Sequence, residues 1–135
     1  AAGVVDGTPY AAHSAGCVGC HMGPETGHTF HPDASVCIAC HNDGTDKEDE
    51  MADVAERLEA IALALADEHA VHIDDSWETG DPLFGAVHPV YASLERDDFK
   101  AWWDFTLIME DRSLSAHNPS YVKALLTGIE TTLGI

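Results

Sequence analysis

Positive charge is scarce in this chain: 6 Lys+Arg stand against 24 Asp+Glu, for a formal net charge of −18 over 135 residues. That shortage sets aside nucleic acid and anionic membrane surfaces as partners, because both are held chiefly through Lys and Arg. Basic partner proteins, multivalent cations or a saline medium suit such a surface, which also serves to keep an exported protein in solution. Long apolar runs are missing as well, and nothing approaches the roughly 18–20 consecutive apolar residues of a membrane span. Cysteine is confined to 4 residues, all within two short motifs, so none is left over for a disulfide. The length fits one domain whose side-chain core alone is modest. Residues 1–46 are rich in Gly, Pro, Ser, Thr and His and lack both helical and strand periodicity, so they read as loops and short turns.

What is present is a repeated signature, Cys-x-x-Cys-His, at Cys17, Cys20 and His21 and again at Cys37, Cys40 and His41. Two thiols three positions apart can each add to one vinyl group of a single porphyrin. The histidine that follows is then carried beneath the iron, for which a neutral imidazole is a good ligand. The pattern reads as c-type haem attachment. Two Cys-x-x-Cys pairs with sixteen residues between them also fit a tetrahedral zinc-thiolate site. The histidine directly after each pair favours haem, as do the nine histidines of the chain, four of which two six-coordinate haems would use. His13, His28 and His31 lie among the loops as candidates for the sixth iron position. The short tether from His21 to His28 makes a neighbouring haem the easier target for His28.

Beyond the motifs, Thr45-Asp46-Lys47-Glu48 has the form of a capping box and opens a helix over about residues 46–69. Met51, Val54, Leu58, Ile61 and Leu65 form its apolar face. His69 and His72 follow at a spacing that could present both to one metal, but a polar helix end with a histidine near its carboxyl-terminal dipole is the favoured reading for each. Ile73 to Pro89 reads as a loop whose carboxylates match no known calcium-loop spacing. A third segment, about Tyr91 to Asp111, carries Phe99, Trp102, Trp103 and Phe105 on more than one face, which predicts burial on several sides between a haem and the other helices. Met109 there is a further potential iron ligand. Asn118 and Pro119 form a strong helix start, with Val122, Leu125, Leu126, Ile129 and Leu133 as the apolar face behind it. His117 is thereby fixed one residue ahead of a rigid element.

Together Cys17 to Met22, Gly27-His28-Thr29-Phe30, Ala101-Trp102-Trp103, Glu110 to Ser113 and His117-Asn118-Pro119-Ser120-Tyr121 resemble the multihaem c-type cytochromes. The similarity covers most of residues 13–46 and 100–130 and leaves 47–99 unsupported. The resemblance implies that the histidine of the His-Asn-Pro element, His117, and that of Gly-His-Thr-Phe, His28, are distal ligands, with His13 next. Where family members commonly carry four or more haems, this chain has two attachment motifs, as a minimal module whose neighbours are other subunits. The family also implies a home outside the cytoplasm, periplasmic or extracellular. The opening Ala1-Ala2-Gly3-Val4-Val5 resembles a mature terminus left after signal cleavage.

The expectation is therefore a mainly α-helical, single-domain dihaem cytochrome c over residues 1–135. Residues 1–46 wrap and attach the haems, and residues 47–135 supply about three helices packed on them. His21 and His41 are the proximal ligands, His28 and His117 the first choices for the distal positions. Its role is electron transfer, with other redox proteins or copies of itself as partners, in the extended form a head-to-tail polymer. The competing enzyme reading is a peroxidase or small-molecule reductase with one open iron and an acid or base from His31, His72 or His88.

Overall fold

The computed structural model describes residues 16–22, 32, 35–38, 41, 45–81, 83–90 and 94–135. His13, His28, His31 and Cys40 lie outside the described residues. In chain order the elements are α1 (Gly16–His21), α2 (Ser35–Ile38), α3 (Thr45–Asp67), β1 (Val71–Ile73), β2 (Val87–Pro89), α4 (Arg96–Asp111) and α5 (Pro119–Leu133). The architecture is mainly helical, as the composition and periodicity predict. Among the described residues no helix is long and apolar enough to cross a membrane.

The core lies where three apolar stripes meet. Val54, Leu58, Ile61 and Leu65 come from α3, Ala101, Phe105 and Ile108 from α4, and Val122, Leu125, Leu126 and Ile129 from α5, all buried. Burying each large aliphatic side chain stabilises the fold by roughly 1.5–3 kcal/mol, so this three-helix junction anchors everything attached to it. Two ion pairs brace the same junction. Glu50 Oε1 lies 2.7 Å from Lys123 Nζ. Arg57 grips Glu130 with two parallel contacts, Nε to Oε1 at 2.6 Å and Nη2 to Oε2 at 2.8 Å. From the first pair to the second the partners advance seven residues on both helices, so α3 and α5 run side by side in the same direction. Burial pushes the Glu50 carboxyl up, but hydrogen bonds from Lys123 and Lys47 outweigh it and leave it below its ordinary value. The hydrogen bond from Arg57 likewise holds Glu130 below the usual range.

Helix α3 ends two residues before the periodicity suggests. The Ala70 amide donates to the Leu65 carbonyl at 2.8 Å and the His69 amide to that of Ala66 at 3.0 Å, the paired bonds of a Schellman cap. His69 occupies the left-handed position of that cap, with φ 58°, a place glycine fills more easily. The helix therefore stops before His69, and His69 and His72 do not share a helical face.

The segment from Ile73 to Pro89 is not simply a loop. Its ends pair as the antiparallel strands β1 and β2, with Val71 opposite Pro89, His72 opposite His88 and Ile73 opposite Val87. Alternation sends Val71, Ile73 and Val87 toward the core and leaves His72 and His88 exposed on the outer face. Pro89 falls at a non-hydrogen-bonded pair, where its missing N–H removes nothing from the ladder.

Helix α4 departs from its expected burial on several sides. Ala101, Phe105 and Ile108 face the core, whereas Phe99, Trp103 and Leu107, each four residues on from the last, form an exposed stripe, with Trp103 59% accessible. Among the described residues only one stripe of α4 meets α3 and α5, and these two helices leave the opposite side of α4 uncovered. Helix α5 begins as the sequence predicts: Asn118 Oδ1 accepts from the Tyr121 amide at 3.3 Å and Pro119 takes the first turn.

Candidate haem-ligand site

Helix geometry arranges the first Cys-x-x-Cys-His motif. In α1, Cys20 lies three residues and His21 four residues beyond Cys17, spacings that stack side chains on one helical face. In the second motif the His41 amide donates to the Cys37 carbonyl at 2.9 Å, the bond of a helical turn, so His41 returns to the face of Cys37. Cys17 is exposed, Cys20 and Cys37 half-buried, and His21 and His41 half-buried. Val18, Met22 and Ile38 beside them are exposed apolar side chains.

His117 reaches this region from the opposite end of the chain. Its ring centroid stands 6.1 Å from that of His21, with the planes tilted by 53°. Two imidazoles that each place a nitrogen about 2 Å from one metal ion bring their centroids to about 6 Å. Each ring can rotate about its metal–nitrogen bond, so the tilt is unconstrained. Two imidazoles in plain contact reach the same separation; the hydrogen bonding behind His117 adds the chemical distinction. Its Nδ1 lies 2.8 Å from Asp111 Oδ1. Facing a carboxylate, Nδ1 is placed to donate; in the neutral ring that leaves the lone pair on Nε2, the arrangement in which metal-bound histidines are commonly held. Burial raises the Asp111 carboxyl, yet hydrogen bonds from Ser113 and His117 outweigh that and hold it below its ordinary value.

The turn that delivers His117 is conformationally tight. Arg112, Leu114 and Ser115 all have positive φ, at 53°, 44° and 79°, in a connection without glycine. Such conformations cost on the order of 1 kcal/mol each and concentrate where a side chain must be aimed. Ser113 Oγ hydrogen-bonds the Asp111 carboxylate, and the His117 amide donates to the same Oγ at 3.3 Å. Sequence reasoning named His117 but missed the supporting Asp111 and Ser113, whose only signal was their place in the quoted Glu110 to Ser113 stretch.

The residue types present fit a covalently attached haem at the first motif, with thiols and imidazole on one helical face and the His117 ring 6.1 Å from that of His21. For the second motif, the expected partners of His41 (His13, His28 and His31) lie outside the described residues. Met109 packs against the hydrophobic core, which accounts for it without a metal. Among the described residues no three or more His, Cys, Asp or Glu side chains are arranged to hold a metal ion. No protein-family model, curated protein or solved structure matches the chain.

Proposed function

We propose that the chain is a dihaem c-type electron carrier in which His21 and His117 are the two axial ligands of the first haem. The observation that carries this is the approach of those two imidazoles to 6.1 Å between ring centroids, one in a Cys-x-x-Cys-His motif and the other backed by Asp111. A haem held there supplies one-electron ferric–ferrous cycling. The chain's own groups do the rest. Cys17 and Cys20 hold the macrocycle by thioether bonds, and Cys37 and Cys40 do the same at the second site. His21 and His117 would both bind the iron and so keep small molecules off it. Asp111 accepts the Nδ1 proton of His117, strengthens the imidazole as a donor and so favours the ferric state. Val18 and Met22 cover apolar porphyrin surface that water would otherwise wet. His41 is the proximal ligand of the second haem, with its distal partner among His28, His13 and His31.

In the same proposal the protein works outside the cytoplasm and passes electrons to other redox proteins or to further copies of itself. A head-to-tail polymer is its extended form, and a strictly monomeric protein in sizing at high concentration excludes that form.

The test is an absorption spectrum of the purified protein, oxidised and reduced, with and without carbon monoxide. Low-spin c-type bands indifferent to carbon monoxide are expected, and His117→Ala should open one iron of the two to the gas. A carbon monoxide shift in the unaltered protein points instead to an enzyme with an open iron. Absence of haem bands with bound zinc overturns the proposal in favour of a thiolate site.

A further inference from the structure

We propose a second metal site, on the outer face of the β1–β2 hairpin, where His72 and His88 chelate one divalent first-row transition ion. The two residues are direct cross-strand partners, so their side chains rise from the same face of the sheet. They occupy a hydrogen-bonded pair, as the flanking bonds from Val90 N to Ala70 O at 3.1 Å and from Asp74 N to Ala86 O at 2.9 Å require by parity. Directly opposed Cβ atoms of such a pair stand about 5.5 Å apart, a span that two imidazoles bridge through one ion by rotation about χ1. Both residues are exposed, so no backbone movement is needed for an ion to enter.

Asp74 supplies an independent observation. It lies two residues beyond His72 on the same face, and its Oδ1 is 3.2 Å from His88 Nε2. In the tautomer that donates Nε2–H to this carboxylate, Nδ1 keeps the lone pair for a metal, the carboxylate support that metal-bound histidines use. The remaining positions are open to water or an external ligand, as befits a site with two protein nitrogens. A net charge of −18 raises the concentration of divalent cations at the surface, and imidazole ligands select transition ions over calcium or magnesium. Cu2+ should bind most tightly of the series. The site is separate from His21, His41 and His117 and stands whether or not those residues hold haem.

The experiment is calorimetric titration of the purified holoprotein with Cu2+, together with paramagnetic resonance of the bound ion. One ion with two nitrogen donors is expected. His72→Ala and His88→Ala should each weaken binding at least tenfold and leave one nitrogen, whereas Asp74→Asn should weaken it about tenfold and keep both. His69→Ala should change nothing. Undiminished binding in the His72→Ala/His88→Ala double variant, an all-oxygen donor set, loss of the site in His69→Ala, or no binding at all overturns the proposal. Circular dichroism of each variant establishes that the fold is intact.

Discussion

Three neighbours hold His117 in place. Asp111 orients its ring, Ser113 takes its amide, and Asn118 next to it caps α5. Asp111→Asn keeps the shape of the acceptor and removes its charge. Under the electron-carrier proposal this variant should raise the reduction potential of one haem. A tenfold loss of preference for the ferric state corresponds to about 59 mV in a one-electron couple, and a redox titration reads it directly. An unchanged potential would mean that Asp111 supports the turn alone. At His69 the strain is local and independent of any cofactor: His69→Gly should stabilise the protein by about 0.5–1 kcal/mol, seen as a higher urea midpoint. Asn118 and Pro119 were legible in the sequence because a cap is a bond between near neighbours. Asp111 was not, because the positive-φ turn that folds it back onto His117 carries no glycine to announce it.

Among the elements, α3 and α5 depend on each other through the Arg57–Glu130 clamp. Arg57→Met should cost about 1 kcal/mol, an amount limited by the water both groups still meet, and a double-mutant cycle with Glu130→Gln should recover most of it as coupling. Lys100→Met, which breaks the exposed pair with Asp97 within one helix, should leave the unfolding midpoint unchanged. The apolar stripes of α3 and α5 were readable because each repeats over three turns or more. The strands were not. Three residues are too few for a period of two to emerge, their partners lie fourteen residues apart or more, and Pro89 argued against a strand until its place in the ladder was known. The exposure of Trp103 was hidden for a related reason: residue type records that a side chain is apolar, not whether a neighbour is present to cover it.

Across the whole molecule, cations are few and largely committed. Lys47, Arg57, Lys100 and Lys123 all pair with carboxylates of the same chain, so most of the acidic surface is left to repel itself. Screening should therefore stabilise the fold. Raising sodium chloride from 0.01 M to 1 M shortens the Debye length from about 30 Å to about 3 Å, and the melting temperature should rise; a fall would show that the ion pairs outweigh the repulsion. Acid acts with the opposite sign. Glu50 and Glu130 have folded values below the ordinary 4.5, so their contribution is complete above that pH and is lost as pH falls through the folded values. In Glu130→Gln the loss of stability under acid should be correspondingly shallower.

The meeting of His21 and His117 joins points 96 positions apart. Their motifs were visible separately, but no local pattern says that one faces the other. If a metal bond joins them, the chain between becomes a closed ring of almost three-quarters of its length. Closing a loop near 100 residues deprives an unfolded chain of conformational freedom worth about 4–5 kcal/mol. The bond that carries electrons then also acts as a clasp, and any change of iron chemistry that loosens His117 also loosens the fold.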